Sequence, residues 1–94
     1  MDAPATGPVA QEMLRRLDAL NPTNIQLIDD SEKHRGHGGY NPDGESHFTL
    51  LIESADFAGK SSVERQRLVH AALGDLVGER VHALSIRARA PGQE

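Results

Sequence analysis

Two segments of alternating hydrophobicity flank a helix whose start carries a capping box. In the first segment, 45–54, apolar side chains occupy every second position, as they do in a half-buried strand. Ser61 and Glu64 have the spacing at which a hydroxyl and a carboxylate satisfy free amides at a helix start, and Gly78 is placed to end that helix. The alternation returns over 81–88. Because such a crossover makes its two strands parallel, the pattern predicts a βαβ unit.

The preceding half of the chain predicts one further helix and one further strand. Apolar residues recur every three or four positions from Val9 to Leu20, which is the spacing that buries one side of a helix. Asn21 and Pro22 are expected to end this helix, since proline disfavours helical backbone at the residue before it. Alternation over 24–29 then indicates a strand. The predicted order of elements is therefore αββαβ.

The length and composition predict one small globular domain. A chain of 94 residues has room for a single core, and its 37% hydrophobic and 26% charged residues are typical of a folded protein and not of a disordered one. We expect residues 1–8 to form a flexible lead-in, 9–91 the domain, and 92–94 a C-terminal tail.

The absence of cysteine narrows the chemistry of the chain. Without cysteine the chain has no disulfide, no thiolate nucleophile and no thiolate ligand of its own for a metal centre. No apolar stretch is long enough to cross a bilayer, and the first ten residues lack the basic and apolar regions of a secretory signal. These features predict a cytoplasmic protein that does not bind membranes.

Four of the five histidines are predicted to gather at one end of the sheet. The two parallel strands begin at the same end, which brings His47 and His82 there, and the glycine-rich loop before the first of these strands carries His34 and His37. His70 falls in mid-helix instead. Imidazole is a common metal ligand, but a histidine at a strand start is also a frequent hydrogen-bonded packing residue. Residue type and spacing leave both interpretations open.

Enzyme signatures are missing from the sequence. There is no phosphate-binding loop after a strand, no nucleophile elbow and no dinucleotide fingerprint. Isolated serine, aspartate and histidine residues occur in any chain of this size, so they do not indicate a catalytic triad. We therefore predict a protein that is not an enzyme and has no catalytic residues.

Four sequence blocks stand in a recognisable order and spacing: Glu45-Ser46-His47-Phe48, Phe57-Ala58-Gly59, Arg65-Gln66-Arg67-Leu68-Val69 and Val81-His82-Ala83-Leu84. Together they resemble the BolA family, and the resemblance covers roughly 9–91. It implies an α+β domain of αββαβ order, similar to class II KH folds, with a three-stranded mixed sheet and the helices packed on one face.

The resemblance also implies a partner and a shared cofactor. BolA-like proteins pair with monothiol glutaredoxins and hold a [2Fe–2S] cluster at the interface, where a glutaredoxin cysteine and bound glutathione supply thiolates. The positions that would supply the remaining ligands correspond to His82 and to His34 or His37, of which we favour His34 because it lies nearer the first strand. Mixed histidine and cysteine ligation occurs in such centres. The isolated chain is expected to hold no cofactor and to be a monomer, or a weak homodimer.

A second role assigned to some BolA-like proteins is transcriptional regulation by DNA binding. It would use Lys60, Arg65 and Arg67 around the second helix, with phosphate contacts that make binding salt dependent. The net charge of −4 argues against it, as does the expected lack of exposed aromatic side chains on which bases could stack. DNA binding is therefore the alternative to cluster binding with a glutaredoxin.

Overall fold

A computed structural model of the chain describes residues 5, 7–30 and 47–92. The predicted αββαβ order is confirmed, with a short helical segment added before the last strand. Single 3-10 turns follow the first helix and the second strand. In chain order the elements are α1 (Pro8–Leu17), β1 (Pro22–Asp29), β2 (His47–Ser54), α2 (Ser62–Leu73), α3 (Leu76–Glu79) and β3 (Ala83–Arg89).

The three strands form one mixed sheet in the order β1-β2-β3. Strand β1 runs antiparallel to β2, and β3 runs parallel to it, as the βαβ pattern predicts. His47 pairs with Ala83 at the start of the two parallel strands, and Glu53 pairs with Arg89 at their other end. The sheet therefore has two distinct ends, one where β2 and β3 begin and one where they finish.

Both long helices pack on one face of the sheet, which confirms the predicted layering. The alternation of β2 directs Phe48, Leu50 and Ile52 into the core. Burial of each large aliphatic or aromatic side chain contributes on the order of 1.5–3 kcal/mol, so these few contacts supply much of the stability. The helices contribute Val9, Ala10, Met13, Leu17, Val69 and Leu73 to the core.

No helix in the part of the chain described here is both long and apolar enough to cross a membrane.

The first helix ends earlier than the apolar pattern predicts. Its α-helical part stops at Leu17, and the next three residues form a 3-10 turn that still buries Leu20, which is why the periodicity extended to that residue. Asn21 then takes the left-handed conformation with φ 53°, which asparagine tolerates better than most residues. The buried Ser54 hydroxyl donates to the Leu20 carbonyl at 2.5 Å and fixes this corner to the end of β2.

The capping box of α2 is confirmed, but its predicted end is wrong. The Ser61 hydroxyl accepts from the Glu64 amide at 3.1 Å, and the Glu64 carboxylate accepts from the Ser61 amide at 2.8 Å. The helix ends at Gly74, whose φ of +59° interrupts it, and not at Gly78. The apolar pattern continues past Gly74 because Leu76, in α3, is also buried.

The last strand begins later than predicted. Val81 forms an isolated bridge with Val77 and is fully buried, while regular pairing with β2 starts only at Ala83. His82 therefore lies between the bridge and the strand, and it is not the first residue of the sheet. The prediction that His82 lies in the strand is therefore wrong, although both of its neighbours are paired.

A network of ionic hydrogen bonds joins α1 to the end of α2. Glu12 accepts from Arg16 Nε at 2.7 Å and from Arg15, and these donors lower the pKa of the Glu12 carboxyl to about 2. Arg16 Nη1 also donates to the Leu73 carbonyl at 2.7 Å and to Asp75 Oδ1 at 3.1 Å. Glu12 therefore orients the guanidinium that holds the two helix ends together.

Acid is expected to weaken this network through Glu12. Its pKa is lower in the folded chain, at about 2, than the ordinary value of 4.5, so its contribution is complete above pH 4.5 and is lost as the pH falls toward 2. Glu12→Gln should therefore flatten the decline in unfolding free energy over this pH range, as measured by urea denaturation. Arg16→Gln, which removes one of the two donors, should flatten it in part. An unchanged pH dependence in Glu12→Gln would contradict this role.

Candidate functional site

Two histidines lie side by side at the end of the sheet where β2 and β3 begin. The ring centroids of His47 and His82 are 6.4 Å apart, and the ring planes are inclined by 40°. His47 is 6% exposed, whereas His82 is exposed to solvent. This confirms the predicted meeting of these two residues and gives them different environments. His47 packs within the protein, and His82 presents an imidazole at the surface.

The parallel pairing of β2 with β3 explains why these residues meet. His47 pairs with Ala83, so the residue just before Ala83 lies beside the start of β2. The His47 carbonyl accepts from the Asp30 amide at 2.7 Å, which attaches the end of β1 to the same place. The Thr49 hydroxyl donates to the Asp30 carboxylate. Asp30 and Thr49 thus brace this end of the sheet, a role that the spacing of histidines did not reveal.

The predicted loop ligands, His34 and His37, lie outside the described residues. The segment that carries them, 31–46, connects Asp30 to His47. Both of its attachment points are therefore at the end of the sheet where His82 lies, because the Asp30 amide is hydrogen-bonded to the His47 carbonyl. Asp30 and His47, the two residues that the loop connects, therefore both lie at the end of the sheet that carries the His47 and His82 rings.

The described residues supply only part of a metal coordination set. Within the ranges 7–30 and 47–92, no three side chains of the histidine, cysteine, aspartate or glutamate type come together in a way that could hold a metal ion. One exposed imidazole and a buried one beside it would fit only a centre that takes its other ligands from outside the described residues.

Unlike His47, which begins β2, and His82, which immediately precedes β3, His70 lies on α2. It lies in the last turn of α2 and not in mid-helix, and its side chain is exposed. It borders a shallow groove on the α2 surface together with Val63 and Arg67. It forms no group of three potential ligands with the other described histidines, so it offers a control position for histidine substitutions.

The three basic residues of the DNA-binding alternative do not form one uniform surface. Lys60 and Arg67 are exposed, but Arg65 is half-buried. The Arg65 guanidinium donates to the Lys60 carbonyl at 3.0 Å and to the Ala88 carbonyl of β3 at 3.1 Å. Arg65 therefore fixes the start of α2 to β3 in addition to adding positive charge.

Known proteins resemble this chain over almost its whole length. The family model described as BolA-like protein matches residues 17–93. The human BolA-like protein 1 is 41% identical over 90 residues, which make up 95% of this chain and 63% of the human protein. The chain thus spans less than two thirds of that relative. The Arabidopsis SufE-like protein 1, named as chloroplastic/mitochondrial, is 42% identical over 78 residues, which cover 79% of this chain and 21% of that protein.

Solved structures extend the similarity to the fold. The BolA domain of SufE1 from Arabidopsis thaliana superimposes with a TM-score of 0.81 at 40% sequence identity, covering 93% of this chain and 96% of that one. The agreement includes the three-stranded mixed sheet and its helices. The family model, the sequence relatives and the fold lead to one conclusion: the chain belongs to the BolA family.

Proposed function

We propose that this chain is a non-enzymatic partner of a monothiol glutaredoxin and helps to hold a [2Fe–2S] cluster for iron–sulfur assembly, trafficking or iron and redox sensing. The observation that supports this most is the exposed His82 imidazole at the end of the sheet where the loop carrying His34 and His37 is attached. Family membership is the second support.

The chain's own residues would divide the work of the site. His82 would donate an imidazole nitrogen, and its position between the Val81 bridge and β3 limits the backbone freedom that it would lose on binding. His47 would pack beside the His82 ring and restrict its orientation. When bound, the cluster would supply one-electron redox chemistry at a potential raised by histidine ligation.

Reconstitution with a glutaredoxin tests the proposal. The purified chain would be mixed with a monothiol glutaredoxin, glutathione, ferric iron and sulfide under anaerobic conditions. We expect a heterodimer on size-exclusion chromatography, with a visible circular dichroism spectrum that differs from that of the cluster-bound glutaredoxin homodimer. A spectrum identical to that of the homodimer, with this chain eluting separately, would refute the proposal.

The loop histidines are expected to contribute unequally. His34→Ala should shorten the lifetime of the cluster in the heterodimer partly, and His37→Ala should shorten it less, because His34 lies nearer the anchored end of β1 and His37 can substitute for it. The double variant should lose more than either single variant. The measurement is the decay of visible absorbance after addition of an iron chelator. Equal decay in the double variant and the parent chain would exclude a loop ligand.

Membership of the family does not determine the cellular compartment of the chain. One plant relative is named as chloroplastic/mitochondrial, so the similarity does not favour the cytoplasm over an organelle. We propose a cytoplasmic location because the cysteine-free composition suits a reducing compartment. Fractionation of the source cells, followed by detection of the chain with an antibody, would test it.

DNA binding has less structural support than cluster binding. Of its three candidate residues, Arg65 is half-buried and is hydrogen-bonded to two backbone carbonyls, so Lys60 and Arg67 would have to supply most of the phosphate contacts. A mobility-shift assay with promoter DNA at low salt distinguishes the two functions. A shift that disappears in the double variant Lys60→Ala, Arg67→Ala would revive the DNA-binding alternative.

A further inference from the structure

A groove of about 620 Å³ lies at the end of the sheet opposite the histidine pair. Side chains of all three strands and of the first turns of α2 line it. Four consecutive residues of β3, from Ile86 to Arg89, take part, so the groove reaches both faces of that strand at its edge. It is separate from the site proposed for the cluster.

The groove follows a strand edge that has no neighbouring strand among the described residues. Strand β3 is the last in the sheet order, and its other neighbour in the sheet is β2. At the opposite edge, the Ala5 amide donates to the Leu27 carbonyl of β1 at 2.8 Å. At the β3 edge, the Ala88 carbonyl accepts from the Arg65 guanidinium at 3.1 Å. The Ala88 carbonyl therefore faces outward at this edge, where the Arg65 side chain of the same chain caps it.

The charge of the groove is opposite to that of the whole chain. Among the described residues, three arginines line it, Arg65, Arg87 and Arg89, against one acidic residue, Glu53. Glu53 pairs with Arg89 at 3.2 Å, which leaves the local balance positive in a chain with a net charge of −4. The groove is therefore suited to a ligand that carries negative charge.

From these observations we infer that the β3 edge binds an extended acidic peptide segment of a partner protein, which adds to the sheet as a further strand. The backbone of β3 would supply the main-chain hydrogen bonds, and the arginines would select acidic side chains. Because this groove and the histidine pair lie at opposite ends of the sheet, the chain could contact a second protein while it holds a cluster partner. The inference does not depend on the proposed cluster function.

A peptide fits this surface better than a nucleic acid does. The groove contains a strand edge, whose evenly spaced amides and carbonyls match another peptide backbone. None of the described residues that line it is aromatic, so these residues offer bases nothing on which to stack. The overall net charge of −4 also repels a long polyanion more than a short acidic segment.

Peptide titrations monitored by NMR test the inference on the full chain. The probe is a peptide of about ten residues in which glutamate alternates with threonine, long enough to span β3 at roughly 3.3 Å per residue. We expect amide shifts and slower hydrogen exchange along Ala83–Arg89, with little change at His47 and His82. A lysine–threonine peptide, and a glutamate–threonine peptide N-methylated at alternate residues, should each bind at least about tenfold more weakly.

Two charge reversals supply the matched comparison. Arg87 is exposed within the groove, whereas Arg80 is exposed at the end of α3 and outside it. Arg87→Glu should weaken binding of the acidic peptide about fivefold or more, and Arg80→Glu should leave it within about twofold. Assembly with a glutaredoxin should be unchanged in both variants, so this test is independent of the cluster proposal.

Three results would overturn the inference. The first is the absence of shifts along β3, and the second is equal binding by the N-methylated peptide, which would show that charge alone attracts it. The third is a short DNA duplex that shifts the same amides more strongly than the acidic peptide, which would make the groove a nucleic-acid surface.

Discussion

His82→Ala is expected to shorten the lifetime of the cluster in the heterodimer by at least about tenfold and to change its visible spectrum. Loss of an outer-shell partner of a metal ligand typically costs about 10–100-fold in metal affinity, and loss of a ligand itself should cost no less. Binding of the cluster-free glutaredoxin should be largely preserved, because His82 is one exposed side chain outside the core. Absorbance decay in the presence of a chelator measures the lifetime.

His70→Ala is the matched control for this experiment. His70 is also exposed, but it lies on α2 and forms no ligand group with the other described histidines. Its replacement should leave both the spectrum and the lifetime unchanged. If His70→Ala disturbed the cluster while His82→Ala did not, the site would have been assigned to the wrong residues.

Phe57→Ala should cost about 3–5 kcal/mol of unfolding free energy, the largest stability effect that we expect from a single substitution in this chain. Phe57 is 0% exposed, and it packs into the core from the 3-10 turn between β2 and α2. Its removal leaves a cavity that a rigid turn cannot readily fill. Small domains are stable by about 5–15 kcal/mol, so the variant should lose a large share of that margin.

Val63→Ala is the control for the loss of apolar volume. Val63 is 58% exposed on the α2 surface, so its truncation should change the unfolding free energy by less than about 0.5 kcal/mol. Urea denaturation of both variants, followed by far-ultraviolet circular dichroism, provides the comparison. Similar costs for the two substitutions would mean that Phe57 does not pack as described.

Most of the fold could be predicted because local patterns and the packing agree. The alternation of β2, the capping box at Ser61 and the parallel crossover together determined which ends of the strands meet, and hence that His47 and His82 would be neighbours. These features depend on backbone geometry that a short sequence window contains. The mixed three-stranded sheet and the one-sided packing of the helices were instead implied by the resemblance to the BolA family.

Boundaries were less predictable because a buried side chain need not be in a helix or strand. Leu20 and Leu76 continue the apolar period of α1 and α2, yet Leu20 lies in the 3-10 turn after α1, and Leu76 lies in the separate helix α3. Val81 is buried by an isolated bridge, which made β3 seem to begin two residues early. The tertiary contacts, and not the local pattern, determined these ends.

Long-range polar contacts were the other features that the sequence did not reveal. The hydrogen bond between Thr49 and Asp30, and the bond from Arg65 to the Ala88 carbonyl, join residues that are far apart along the chain. No spacing rule relates such residues. The role of Arg65 therefore changed from a candidate phosphate contact to a link between α2 and β3 once its partners were known.

Pulsed electron paramagnetic resonance of the reduced heterodimer would test the central proposal most directly. The chain would be labelled with ¹⁵N-histidine and combined with unlabelled glutaredoxin, so that any histidine ¹⁵N hyperfine coupling must come from this chain. We expect strong coupling from histidine nitrogen in the parent chain and the loss of one coupled nitrogen in His82→Ala. A reduced cluster in the heterodimer with no coupled ¹⁵N, or with coupling unchanged in His82→Ala, would contradict ligation by His82.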